Sequence, residues 1–464
     1  MIRRRSASLV AVVAVGAMFV AACGNDSKTD STSASAGTTP GTTPATTGDT
    51  TPADTTPATE PAPEAWTVNT DDCIDPEAAN APIEGTVKIG SALPLTGGVA
   101  AAAFAPVKSG FDAYIQYANE HKILGDMTIE LTIEDDQYSK DLTPGAVSKQ
   151  IDAGVNLFSG IIGSANNAAV RDVLNDECIP QLNALTGSPA WGDVANYPWT
   201  VGILVPYDVE SRVYAAQLAQ DYPDGATVGL FYVNNEFGTV YADAFKELAA
   251  EYNLTIVDEQ TIEATDSNPP TSQVTSLASK KPDVIMAVPL GAGCISFLTE
   301  LAAKKAENAG WDPATYITNT CASSLILGAA GDAANGIYTS NNLKDVIDPA
   351  NASNAAVIEY VDYMTSLGLA DIMTTATAGW HTGEITVAIL KQAMESADGL
   401  TRASIINAAR NMNYTPTLGR DGVIDRTNGE ADPFQFESLQ VLKYDAAAKT
   451  FSNVGDLITD FETK

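Results

Sequence analysis

The stretch SGIIGSANNAAV, residues 159–170, decides how this chain folds. Phe158, Ile161 and Ile162 read as the end of a buried strand, Gly163 to Asn167 as a turn of small and short polar residues, and NNAAVRDVLNDE as the helix that follows. A strand that turns into a helix in this way leaves first-turn N–H groups pointing outward, where the helix dipole favours an anionic or polar head. An ordinary capped helix, with Ser164 or Asn166 as N-cap, would carry the same letters. The alternation repeats on both sides of this stretch. TVKIGSALPL, MTIELTIEDD, ATVGLFYVN, TIVDEQTI, PDVIMAVPL and TYITNT read as strands with helices between them. The clearest helix places Phe237, Val240, Tyr241, Ala244, Phe245, Leu248 and Tyr252 on one face. Strand–helix alternation means parallel sheets covered by helices, an α/β protein. The units form two series, residues 86–203 and 226–341, which predicts two doubly wound lobes with a hinge. Ligands of open parallel sheets bind off the carboxyl ends of the strands, so two such lobes would enclose a cleft.

The first residues belong to neither lobe. Arg3, Arg4 and Arg5 precede an apolar run, residues 9–20, and Val20-Ala21-Ala22-Cys23 closes it. This reads as a signal peptide over residues 1–22. Its ending resembles the lipobox of bacterial lipoproteins, which implies that Cys23 is lipidated and becomes the new N-terminus; a plain secretory signal with an incidental Cys23 is the rival. Residues 23–66 form a Ser/Thr/Pro tether in which Thr-Thr-Pro recurs four times between Thr38 and Pro57. Such composition cannot bury enough surface to offset its ordering entropy. Extended as polyproline II it would reach on the order of 100 Å.

The net charge of −33 argues against nucleic acid or an anionic bilayer surface as partner. No further apolar run approaches the ~20 residues of a membrane span, so the membrane is reached through the lipid. With Cys23 assigned to lipid, Cys73, Cys178, Cys294 and Cys321 remain, and three pairings are possible. Closeness in sequence and placement at strand ends favour Cys294–Cys321, leaving Cys73–Cys178. No CxxC is present, and with two histidines a zinc site has too few ligands; no metal or cofactor is expected.

Six segments stand in a telling order: VKIGSALPLTG with SGFDAYIQYAN; IEDDQYSKD; GSANNAAVRDVLNDECIP with NALTGSPAW; LFYVNNEFGTVYADAF; KPDVIMAVPLGAGC; and GWHTGEITVAIL. Together they resemble type I periplasmic solute-binding proteins, in the leucine/isoleucine/valine-binding branch, over nearly everything from Thr86 onward. The resemblance implies two lobes, residues 67–205 with 341–418 and residues 206–340 with 419–464, joined by three crossovers. It also implies a monomer outside the cytoplasmic membrane that closes on a small polar solute, of branched-chain amino acid type or a related carboxylate or amide, and delivers it to an ABC permease. By the same resemblance, Ser164, Ala165 and Asn166 hold the ligand's carboxylate, and Leu185, Thr186, Gly187 and Ser188 add carbonyl and hydroxyl contacts. Phe237 lines the cleft where relatives often have Tyr, and further contacts fall at Ala103 or Phe104 and near Leu290-Gly291.

The departure is at TNTCASS, where relatives commonly place a carboxylate for the ligand's ammonium and this chain has Thr320. An unpaired buried ammonium costs several kcal/mol. Either Glu236 takes the role or the ligand carries no ammonium. The rival functions are a sensor lipoprotein uncoupled from transport and an α/β hydrolase-type enzyme. The enzyme reading is weak: Gly291-x-Gly293 lacks a third glycine, GxSxG, GxxxxGK[ST] and HExxH are absent, and His381 reads as a helix-start or surface histidine.

Overall fold

The computed structural model describes residues 65–436 and 438–459; the expected signal peptide, Cys23 and nearly all of the tether lie outside the described residues. The first sheet is built from β1 (Thr86–Leu93), β2 (Thr128–Asp135), β3 (Leu157–Ser159), β4 (Gln181–Ala184) and β5 (Thr200–Gly202), all parallel, in the order β2-β1-β3-β4-β5. The next strands are β6 (Ala226–Val233), β7 (Leu254–Ile262), β8 (Val284–Val288), β9 (Ala314–Ile317) and β10 (Tyr338–Ser340), which run β7-β6-β8-β9-β10. Both sheets therefore follow the same 2-1-3-4-5 winding, a doubly wound α/β order. After a two-stranded ribbon of β11 (Asn413–Tyr414) and β12 (Asp425–Arg426), β13 (Val441–Asp445) and β14 (Thr450–Asn453) extend the second sheet antiparallel beyond β10.

The central strands are buried along their length because helices cover both faces; β8, Val-Ile-Met-Ala-Val, is buried at all five positions. Helix Met373–Met394 packs on helix Gly98–Glu120 backbone to backbone. A Cβ at Gly379 would stand 1.8 Å from Val107 O, and one at Gly110 1.9 Å from Ala376 O, so glycine is required at that crossing. GWHTGEITVAIL is thus the interior of a long helix; the expectation that His381 opens it or lies at the surface does not hold, and the ring is buried.

The segment after Leu418 makes contacts with elements of both sheets. Residues 425–436 pack on elements of the first sheet: β12 pairs with β11, Gln435 Nε2 donates to Asn183 Oδ1 at 2.9 Å, and Gly429 N–H donates to Arg410 O at 2.7 Å. Contacts with the second sheet resume where Asn341 N–H meets Gln440 O at 3.1 Å. Buried acceptors on the first lobe hold this returning strand, a long-range pairing that no local pattern announces.

Two disulfides are formed. Cys73–Cys178 ties the N-terminal segment to the end of helix Ser164–Asp176, and Cys294–Cys321 ties the first turn of helix Ala292–Glu307 to the short turn Asn319–Cys321. Among the described residues no helix is long and apolar enough to cross a membrane, and no cluster of metal-ligating side chains occurs.

Candidate functional site

The carboxyl ends of both sheets open onto one cavity of about 180 Å³. From the first sheet, β1 leads to the helix that carries Phe104, β3 to Gly163, and β4 to Leu185. From the second, β6 leads to Phe237, β8 to Leu290, and β9 to Asn319 and Thr320. Tyr138, Tyr207, His381 and Phe436 complete the wall. Among the described residues, every lining side chain is apolar or neutral. The lobes touch across the cleft: Ser323 Oγ and Thr375 Oγ1 are 3.0 Å apart, and Ser188 Oγ meets Glu236 Oε1 at 3.5 Å.

The structure separates the expected site residues into two groups. Phe104, Leu185, Phe237, Leu290 and Thr320 line the cavity, as does Ala103. Ser164, Ala165, Asn166, Thr186, Gly187 and Ser188 stand behind the lining. Gly163 makes the turn itself: its φ is 100°, and a Cβ there would strike Asn166 Oδ1 at 2.6 Å and Tyr138 Cε2 at 2.9 Å. Asn166 turns away from the cavity, donating to Asp136 Oδ2 at 3.0 Å and Thr143 Oγ1 at 2.9 Å. Burial outweighs these donors and raises the Asp136 carboxyl. Ser164 Oγ pairs with Thr186 Oγ1 at 2.6 Å, and Ser188 caps the turn Pro189–Gly192 through Ala190 N–H. Glu236, the candidate substitute carboxylate, pairs with Ser188 outside the lining; burial raises its carboxyl too.

Three polar groups of the lining have side-chain atoms without a hydrogen-bond partner among the described residues: Thr320 Oγ1, Asn342 Oδ1 and the two ring nitrogens of His381. His381 Nε2 stands 3.4 Å from the buried Asp425 Oδ2. The separation qualifies as an ion-pair distance, yet the alignment makes no hydrogen bond. Burial pushes the imidazole down to about 3, so it is neutral, and its ring stacks on Phe436 with centroids 5.4 Å apart. A buried polar atom without a partner costs free energy, and such atoms at a cavity wall mark where a ligand can hydrogen-bond.

Behind the second-lobe wall, Glu210 is wholly buried and accepts from Tyr214 Oη at 2.6 Å, Asn319 N at 3.0 Å and Ser340 Oγ at 2.5 Å on one oxygen, and from Tyr241 on the other. It fixes the turn that presents Thr320. Sequence reading missed His381, Tyr207, Tyr138, Asn342 and Glu210. The one signal available was polarity inside apolar runs: a histidine amid WHTGEITVAIL and an acid on the helix after a crossover.

The profile of the periplasmic binding protein family matches residues 86–436. No curated protein sequence gives a significant match. Among solved structures, the chain is similar to a branched-chain amino acid ABC transporter protein from Thermus thermophilus with bound valine, at 17% identity and a TM-score of 0.71 over 81% of this chain and 97% of that one. It is similar to a fatty acid ABC transporter substrate-binding protein from Thermomonospora curvata, at 19% identity and a TM-score of 0.64 over 82% and 95%. A third is a solute-binding protein of an ABC transporter from Rhodopseudomonas palustris BisB5 in complex with 3,4-dihydroxybenzoic acid, at 19% identity and a TM-score of 0.65 over 81% and 98%. These likenesses concern the fold.

Proposed function

The chain belongs to the periplasmic binding protein family, and from that premise we propose that it captures a small solute with an apolar body and hands it to an ABC permease. Family and structural neighbours are binding proteins, and this chain is a solute-binding protein, not an enzyme, placed outside the cytoplasm. The observation that carries the ligand class is the cavity wall: Phe104, Ile162, Leu185, Phe237 and Leu290 offer apolar surface, while Thr320 Oγ1 and Asn342 Oδ1 lack hydrogen-bond partners among the described residues and stand with the neutral ring of His381, whose Nε2 lies 3.4 Å from Asp425. An aliphatic or aromatic body gains about 25 cal/mol per Å² of apolar surface removed from water. The polar end gains hydrogen bonds that the protein leaves open. A zwitterionic amino acid fits less well, because its ammonium would meet Thr320 and not a carboxylate. Neighbours of this fold bind valine or an aromatic acid, which brackets the chemistry.

Closure of the two lobes about the hinge would enclose the solute, and the closed form would be read by the permease. The contacts favour lobes composed of residues 67–205 with about 341–438, and residues 206–340 with the C-terminal strands. A lipid on Cys23 and the tether would keep this monomer at the outer face of the membrane; replacing Cys23 by Ser should release the protein to the soluble fraction.

The test is a thermal-shift panel of branched-chain amino acids, aliphatic and aromatic carboxylates, their amides and the matching alcohols. A true ligand at a hundred times its Kd adds about 2.7 kcal/mol, a shift of a few degrees. Failure of every apolar-bodied compound to shift the transition would refute the reading.

A further inference from the structure

Asn342 lies on the crossover after β10, is 6% exposed, and lines the cavity. Its backbone is fixed by the neighbouring crossover strand. Arg420 N–H donates to Asn342 O at 2.9 Å, Lys344 N–H donates to Leu418 O at 2.8 Å, and Leu343 forms an antiparallel bridge with Gly419. The side chain held in this way has no partner for its Oδ1 among the described residues, and neither has Thr320 Oγ1 on the second-lobe wall. The backbone donors nearby are engaged. The N–H groups of Ala322, Ser323, Asn341 and Leu343 donate within the protein at 2.8–3.1 Å, and that of Asn319 donates to the buried Glu210 at 3.0 Å. Gly163, which brings the Ser164 turn to the cavity, gives its N–H to Leu185 O at 3.4 Å.

Charge is missing from the wall as well. Among the described residues no lysine, arginine, aspartate or glutamate lines the cavity. His381 adds no net positive charge, since the buried Asp425 carboxyl stands 3.4 Å from its Nε2 and would match any proton the ring took up. A carboxylate entering here would leave water with no cation and none of these amides to receive it, and an ammonium would meet no acid. An uncharged N–H or O–H group would meet an open acceptor. We propose that Asn342 reads the polar end of the ligand and that this end is an uncharged hydrogen-bond donor, so that the cavity prefers carboxamides and alcohols to the carboxylates and amines of the same apolar body. A primary carboxamide is the direct complement, because the Asn342 amide carries an acceptor and donors side by side. The inference rests on the solute-binding reading above and names the head group of that solute. The crossover pairing holds Asn342 in place before any ligand arrives, which keeps the contact selective.

The experiment takes the apolar body that gives the largest thermal shift and titrates it calorimetrically under four heads. For the branched aliphatic body these are 3-methylbutanamide, 3-methylbutan-1-ol, 3-methylbutanoate and 3-methylbutan-1-amine, with L-leucine as the zwitterion. The purified protein should bind the amide or the alcohol at least about tenfold more tightly than any charged head. Asn342→Leu keeps the size of the side chain and removes its polar atoms; it should weaken the best neutral ligand about tenfold and leave the carboxylate within about threefold. Asn342→Ser serves in the same way if the leucine variant does not fold. A carboxylate, amine or amino acid that binds more tightly than both neutral heads overturns the inference and leaves the solute-binding reading standing. So does a folded leucine or serine variant with unchanged affinity for the neutral ligand. If no body of the panel binds under any head, both readings fall.

Discussion

Replacement of Glu210 tests whether the second-lobe wall is held by one buried carboxylate. Its two oxygens collect four donors from four places: Tyr214 on its own helix, Tyr241 on helix Glu236–Ala249, the Asn319 amide beside the cavity, and Ser340 at the end of β10. Burial raises the carboxyl's pKa against the pull of those donors. In Glu210→Ala the Tyr214 hydroxyl can turn to Ile317 O, 3.3 Å away, but Tyr241, Ser340 and the Asn319 amide lose their only acceptor among the described groups. Three orphaned donors at about 1 kcal/mol or more each give a loss of roughly 3–5 kcal/mol. Glu210→Gln keeps one oxygen for the triple cluster and can aim its amide at the Tyr241 oxygen, so its cost should be about 1 kcal/mol. Guanidinium denaturation of parent and variants measures both, with m-values checked for constancy. An alanine variant less than about 1 kcal/mol below the parent, or a glutamine variant as unstable as alanine, would refute this account of the wall.

Three further outcomes follow from named contacts. His381 is neutral when folded, its pKa lowered from 6.5 to about 3, so the unfolded chain binds more protons between these values. Stability is therefore fully present above pH 6.5 and lost as pH falls; relative to His381→Gln, the parent should lose about 2 kcal/mol between pH 7 and pH 5 in denaturation titrations. Gly379→Ala drives a Cβ to 1.8 Å from Val107 O and should cost about 3 kcal/mol, whereas Gly145→Ala, in a helix with open space around it, should gain about 0.5–1 kcal/mol; thermal melts compare the two. Loop-closure entropy assigns about 3.5 kcal/mol to Cys294–Cys321, separated by 27 residues, and nearly 5 kcal/mol to Cys73–Cys178, separated by 105. Serine double variants should unfold in that order of loss, and the reverse order would refute chain closure as the dominant effect.

Much of the architecture is written in local pattern. Apolar strands of three to nine residues, most of them followed by a helix, specify parallel α/β units because burial on both strand faces leaves no other economical packing. Of the three pairings open once Cys23 is set aside, the one formed is the one favoured by the closeness of Cys294 to Cys321 and their placement at strand ends. The site was legible only at its strand-end turns, where Phe104, Leu185, Phe237, Leu290 and Thr320 arrive by the topology itself. Tyr207, Asn342 and His381 were not legible, since each reaches the cavity from beside a crossover or from inside a long helix. The contact of segment 425–436 with the first sheet was equally illegible, since Gln435 meets Asn183 across 252 residues.

The sequence by itself determined the class of fold, the repetition of one winding in two lobes, and the absence of an acid at Thr320. Tertiary structure alone decided which atoms at the cavity are free and which are spent. The Ser164 turn reads the same whether its hydroxyls await a ligand or pair with one another, as those of Ser164 and Thr186 do, because hydrogen-bonding capacity is local and its satisfaction is not.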